Sequence, residues 1–305
     1  MSIIESALNK ANKVEHDSNV HLNTQSELKV NSDNPRLIYN NSDCKINSII
    51  DQQTNKEIVE IDFTRLTSLG FVDPNDSNTQ AIEEYRNIKR PIVNNAFGKG
   101  SVGINRANLI LITSSLPGEG KTFTAINLAL SIANERDKKV LLIDADVARP
   151  SISKVLGIEP RLGLIEYLDN EGILFSDILV DTNIAGLRIV PAGKTHKHST
   201  ELLSSNKMAL LVEELSSRYP DRIIIFDSPP LLAATQGEIL AKLVGQIVLV
   251  VEAEKTLQSM VMESVNKLST CDVVLAVFNK SKGNTGGAFY GYGYGYGYGY
   301  GNYAN

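Results

Sequence analysis

The 305-residue sequence predicts an α/β protein with a mostly parallel sheet and helices on both faces. Three observations predict it. Continuous Val/Ile/Leu runs of strand length recur between residues 109 and 279, as expected of strands buried on both faces. Helical patterns separate these runs, which calls for parallel strands joined by right-handed crossovers. The first run, Leu109-Ile110-Leu111-Ile112, leads into Ser114-Ser115-Leu116-Pro117-Gly118-Glu119-Gly120-Lys121-Thr122 and then an amphipathic segment. Strand, glycine-bearing turn and helix start form the setting of a phosphate-binding loop, so the sheet is expected to be of the P-loop NTPase type.

The elements follow in order. Ser2-Ile3-Ile4-Glu5 reads as a capping box, with Ile4, Ala7, Leu8 and Ala11 on one face of a short helix. The first 57 residues hold ten Asn and seven Ser, too polar to offset their ordering entropy, and read as a flexible linker after that helix. Order is expected to resume at Ile58-Val59-Glu60-Ile61-Asp62-Phe63, which alternates at period two. Pro74 marks a turn. Thr79 to Lys89 reads as a helix with Ala81, Ile82, Tyr85 and Ile88 on one side, and Pro91 is expected to end it.

Beyond that point strands are expected at 109–113, 140–144, 187–191, 222–227, 247–252 and 273–279. Helices are expected at 122–134, 207–219 and 257–269. The chain closes on alternating Tyr–Gly, with seven of its eleven tyrosines in the last 16 residues. Glycine at every second position forbids a stable helix and weakens a strand, so this tail should be mobile with accessible phenols. The expected domains are 1–57, a short helix and linker; 58–283, the P-loop domain; and 284–305, the tail.

The chemistry gathers at strand ends. Gly118 and Gly120 permit close backbone approach to phosphate, Lys121 reaches the β- and γ-phosphates, and Thr122 offers a hydroxyl to Mg2+. Pro117, Glu119 and Phe123 complete the candidate nucleotide-binding stretch. The first glycine of the usual loop pattern is Ser115 here. Val140-Leu141-Leu142-Ile143-Asp144-Ala145-Asp146 places two carboxylates at one strand end, pointing the same way. Ile223-Ile224-Ile225-Phe226-Asp227 supplies a third. Hard oxygen ligands and a proton acceptor are what phosphoryl transfer to a hydroxyl requires. Arg149 either contacts phosphate or fixes its loop.

Composition narrows the classes. The formal net charge of −5 argues against nucleic acid as the main partner. Cys44 and Cys271 form neither a disulfide framework nor a metal spacing. Neither a signal peptide nor an apolar run of bilayer length is read, so a cytoplasmic location is expected, with any membrane association made through a partner.

The segments 114–122, 141–150 and 223–230 resemble the three Walker motifs of the bacterial tyrosine autokinases, the BY-kinases. The tyrosine-rich end is similar to their autophosphorylation cluster. Glu83-Glu84-Tyr85-Arg86-Asn87-Ile88-Lys89-Arg90-Pro91 resembles their ring-assembly helix. Residues 2–8 and 88–91 look most like the subgroup associated with exopolysaccharide and exosortase systems.

The resemblance implies ATP and Mg2+ as cofactors. Lys121 and Thr122 would hold the phosphates and the metal, Asp144 would act as base on the phenol, and Asp146 and Asp227 would support the metal. Asn279 would meet adenine. Tyr290, Tyr292, Tyr294, Tyr296, Tyr298, Tyr300 and Tyr303 would accept phosphate. Glu83, Arg86, Lys89 and Arg90 would carry homo-oligomerisation in a ring assembly. The implied partners are a separate transmembrane polysaccharide chain-length (co-polymerase) protein and a tyrosine phosphatase. The site would lie at the inner face of the membrane. The family's D-x-D-x-R pattern places its arginine where Ala148 stands, one residue before Arg149, and Lys89 replaces the second arginine of the assembly motif.

Two other readings compete. A MinD/ParA-like positioning ATPase would share the fold, but those proteins carry a lysine at the second loop position, which is Leu116 here. A Tyr–Gly tail could also serve as a self-associating module.

Overall fold

A computed structural model describes residues 58–73, 80–98, 103–219 and 221–281. The readings of the N-terminal helix, the linker, the turn at Pro74 and the tyrosine tail lie outside the described residues.

The described elements run α1 (Phe63–Ser68), α2 (Gln80–Phe97), β1 (Leu109–Ser114), α3 (Lys121–Ala133), β2 (Lys139–Asp144), α4 (Ile152–Leu156), α5 (Leu164–Asp169), α6 (Phe175–Ile178), β3 (Val180–Asp181), β4 (Leu187–Val190), α7 (Ser199–Leu203), α8 (Asn206–Arg218), β5 (Arg222–Asp227), α9 (Gln236–Ala241), β6 (Gln246–Glu252), α10 (Gln258–Lys267) and β7 (Val273–Asn279). The sheet order is β3-β4-β2-β5-β1-β6-β7. All pairings are parallel except β3 with β4. The expected mostly parallel sheet is therefore present, with a short antiparallel edge that its two-residue length hid in the sequence.

Strand alternation sorts the core into two layers. Leu109, Leu111, Leu141, Ile143, Ile224 and Phe226 face one side, beneath α5, α7, α8 and α9. Ile110, Ile112, Val140, Leu142, Ile223 and Ile225 face the other, beneath α3 and α2. α3 is apolar nearly all round because it lies between the sheet and α2. Its one buried amide, Asn127, accepts from Val72 N–H at 2.8 Å and lies 3.4 Å from the Tyr85 hydroxyl.

Two expectations are corrected. Residues 58–63 form an isolated bridge, Val59 to Thr182, and then enter α1, whose N-cap Asp62 accepts from Arg65 N–H. The edge they join is only two residues long, so a full strand has nothing to pair with. Pro91 does not end the second helix: α2 continues through it to Phe97. Packing overrides the missing donor. Ile92 is fully buried, and the Gln246 side chain donates to Ile92 O at 3.1 Å while accepting from Asn95 at 3.0 Å. The proline ring itself faces solvent.

Candidate active site

The loop after β1 sits at the carboxyl edge of the central strand, where open parallel sheets bind ligands. Gly118 and Gly120 have φ of +86° and +98°, the left-handed region. Gly120 has a second constraint, because an added Cβ would collide with the Asn279 side-chain amide. Asn279 donates to Glu119 O at 2.8 Å, and Lys280 Nζ donates to Gly118 O at 2.7 Å. The end of β7 thus grips the loop from outside.

Glu119 is buried at 2% exposure and faces inward to the protein. Its carboxylate accepts from Leu116 N–H at 2.6 Å, from Glu252 N–H at 3.4 Å and from the Thr256 hydroxyl. Its side chain is a brace, leaving its main chain to the ligand side. Ser115 Oγ lies 2.8 Å from Ser264 Oγ on α10. The serine at the usual glycine position therefore ties the loop to that helix.

α3 begins at Gly120 without a side-chain cap, and its first intrahelical bond is Thr124 N–H to Gly120 O at 2.9 Å. The N–H groups of Lys121, Thr122 and Phe123 precede that ladder, and with the helix dipole they form an anion cradle. The Phe123 ring itself packs on Phe71, with centroids 4.8 Å apart, so its contribution to a nucleotide is the main chain.

Parallel pairing of β2 with β5 sets Asp144 directly opposite Asp227. Both are fully buried. Asp144 Oδ2 accepts from Ser151 N–H and Ile152 N–H, each at 3.0 Å. Asp227 Oδ2 accepts from Thr122 Oγ at 2.7 Å, and that hydroxyl also lies 3.0 Å from Ser151 Oγ. The second oxygen of each aspartate, Oδ1, is buried with no partner.

Burial is the main reason the Asp144 carboxyl is raised to about 7, against the two backbone donors; Asp146 adds to the rise. Burial, then the facing Asp144, pushes Asp227 up to about 8. Asp146 pairs with Lys121 at 3.1 Å and accepts from Arg149 N–H at 3.1 Å. Arg149 fixes that loop through its backbone while its side chain is exposed.

The buried, unpartnered Asp227 Oδ1 beside the Thr122 hydroxyl suits a hard divalent cation. No group of three His, Cys, Asp or Glu among the described residues forms a protein-only metal cage. That is the pattern expected when Mg2+ takes its remaining ligands from phosphate and water. The residues present fit the ion.

The expected residues Gly118, Gly120, Lys121, Thr122, Asp144, Asp146, Asp227 and Asn279 converge on this edge. The helix residues do not join them. Glu83 pairs with Arg86 on the surface, and Arg90 is exposed. Lys89 turns inward, to Ser131 O at 2.9 Å and Glu135 at 2.6 Å. Sequence reasoning missed Ser151, Ser264, Thr256 and Lys280 as supports of the site. Only Lys280 carried a signal, as the residue that follows a strand-end Asn.

An uncapped helix start behind a glycine loop, a lysine above it and paired strand-end acids define a P-loop nucleotide-binding site arranged for phosphoryl transfer. A sequence-family model described as an AAA domain matches residues 107–277. The tyrosine-protein kinase YwqD of Bacillus subtilis is 32% identical over 70% of this chain and 86% of its own length. The tyrosine-protein kinase ptk of Acinetobacter johnsonii is 35% identical over 59% of this chain, which spans only 23% of that relative's length. The crystal structure of the VpsO kinase domain aligns at a TM-score of 0.52 and 32% identity, over 66% of this chain and 99% of its own. The chain belongs to the bacterial tyrosine-protein kinase (BY-kinase) family, an enzyme of the protein-tyrosine kinase class.

Proposed function

We propose that the chain is an ATP- and Mg2+-dependent tyrosine autokinase. It transfers the γ-phosphoryl group of ATP to Tyr290, Tyr292, Tyr294, Tyr296, Tyr298, Tyr300 and Tyr303 of a neighbouring subunit. The observation that carries this reading is the free, buried Oδ1 of Asp144 at the edge that bears the phosphate loop.

Asp144 Oδ1 takes the phenol proton as the phenol oxygen bonds to the γ-phosphorus. The bond from that phosphorus to the β–γ bridging oxygen breaks, and ADP leaves. A carboxyl held near neutrality is matched to this exchange. Lys121 is paired with Asp146 at 3.1 Å, which keeps its ammonium at this edge for the β- and γ-phosphates. The loop N–H groups and the α3 dipole face the phosphates. Thr122 and Asp227 would hold Mg2+, which supplies charge neutralisation on the phosphates when bound, leaving Asp144 Oδ1 to the phenol.

The segment from Asn279 to Tyr290 spans up to roughly 35–40 Å when extended, enough for either copy's site. The helix carrying Glu83, Arg86, Lys89 and Arg90 is proposed as the self-association surface. None of the helices among the described residues is long and apolar enough to cross a membrane. A separate transmembrane co-polymerase protein is proposed as the activator that holds the enzyme at the inner membrane face. A tyrosine phosphatase would reverse the reaction, and control of exopolysaccharide export would be the outcome.

Anti-phosphotyrosine signal after incubation with ATP and Mg2+ tests the reading. It should vanish in Lys121→Met and in a tail Tyr→Phe variant. A signal that survives both changes contradicts it. Mixing Lys121→Met protein with tail-deleted enzyme tests the neighbouring-subunit step; an unlabelled tail in that mixture rules it out.

A further inference from the structure

Beside the acidic site lies a groove of opposite character. It is lined by Pro150, Lys154, Arg161, Leu162, Pro191 and Lys194, among others, and no Asp or Glu lines it. Its three cations make no ion pair among the described residues. Lys154 and Lys194 are exposed, and Leu162 is 42% exposed.

The groove adjoins the segment that holds the catalytic carboxylate. Pro150 precedes Ser151, whose N–H, with that of Ile152, holds Asp144 Oδ2. Lys154 stands on α4, one turn further on. The opposite wall is fixed. Leu164 N–H and Ile165 N–H donate to Pro191 O and Ala192 O at 2.8 and 3.0 Å. Glu166 accepts from Gly163 N–H at 2.9 Å and Lys194 N–H at 3.0 Å. Gly163 and Gly193 are required for this approach: a Cβ on the first would strike the 191–193 main chain, and one on the second the Glu166 carboxylate. The groove is thus a preformed surface of prolines and unpaired cations.

We propose that this groove binds the phosphorylated Tyr–Gly tail, residues 290–303, and so retains a partly modified tail beside the site. The proposal rests on the autokinase reading. Charge complementarity selects the occupant. Each phosphotyrosine brings about −1.5 to −2 charges, which the Lys154, Arg161 and Lys194 cluster attracts. Alternation with glycine puts the six rings from Tyr290 to Tyr300 on one face of an extended chain, about 7 Å apart, so several phosphotyrosines can present to the groove's cations together. The prolines and Leu162 offer apolar surface to the rings. Reach excludes neither a neighbour's groove nor the chain's own: within one copy β7 and β4 are five strand spacings apart, about 24 Å, and the nine residues from 281 to 290 extend to about 30 Å.

The test uses the full chain, dephosphorylated and without ATP. Fluorescent peptides of residues 289–303, unmodified or carrying phosphate at Tyr294 and Tyr296, are titrated by anisotropy. The phosphopeptide should bind at least about tenfold tighter than the unmodified one, and tighter than a Glu–Gly peptide of equal length. Lys154→Glu with Lys194→Glu should remove that advantage, and Lys154→Arg with Lys194→Arg should keep it. Equal binding of the phosphopeptide and the Glu–Gly peptide, or an advantage that survives the charge reversal, overturns the proposal. So does a failure of every peptide to bind. Phosphates per tail, counted by mass spectrometry after ATP, separate the two readings. None on the wild-type tail sinks the autokinase reading, whereas full modification with no groove dependence sinks only this one.

Discussion

Asp144 faces two demands, burial and reactivity, and both leave a signature in pH. An unfolded aspartate ionises near 3.8, whereas folded Asp144 and Asp227 hold a proton to about 7 and about 8. The native state therefore binds more protons than the unfolded state between those values, and stability falls as pH rises through that window. Asp227→Asn removes one buried charge. It should raise the melting temperature of the nucleotide-free protein more at pH 8 than at pH 5, by about 2–4 °C for each kcal/mol recovered. An equal gain at both pH values contradicts the assigned burial cost. In kinetics, kcat/KM for tail labelling should rise with pH and level off above about 7, as Asp144 of the free enzyme ionises. Gly120→Ala should abolish nucleotide binding while leaving the sheet intact, which calorimetry with an ATP analogue and circular dichroism would check. These residues were legible because a carboxylate ending an apolar strand and a lysine after a glycine turn are local signals. The supporting contacts of Glu119, Ser115 and Lys280 were not. Their partners lie 133, 149 and 162 residues away, and only the fold brings them together.

At the scale of elements, strand register and helix packing do the positioning. The β2–β5 register sets Asp144 opposite Asp227, and a slip of one residue would turn one of them off the site face. The strands were legible as unbroken apolar runs, because parallel strands are covered on both sides. The continuation of α2 past Pro91 was not, because a local steric rule was outweighed by burial 154 residues distant in sequence, at Gln246 and Ile92. Pro91→Ala should therefore stabilise the protein by about 1–3 kcal/mol, since it restores a helix donor at an exposed position. Ile92→Ala should destabilise it by about 2–5 kcal/mol, since that side chain is fully buried. Both are readable by urea denaturation. A loss of stability in Pro91→Ala would mean that the helix is held by its proline rather than in spite of it.

For the whole molecule, the strand order collects the phosphate loop, the paired acids and the gripping residues Asn279 and Lys280 on one edge. The chain continues from that edge toward its tyrosines. Several phosphates on one tail repel one another and the acidic site. Full phosphorylation should thus lower the mass of any oligomer measured by light scattering; an unchanged mass argues against that coupling. The measurement that goes furthest is phosphosite mapping of residues 283–305 by mass spectrometry after incubation with ATP and Mg2+, comparing wild type with Lys121→Met. Phosphate on several of the seven tail tyrosines in wild type, and on none in Lys121→Met, is the expected result. An unmodified wild-type tail, or equal modification in Lys121→Met, would contradict phosphoryl transfer to the tail from this site.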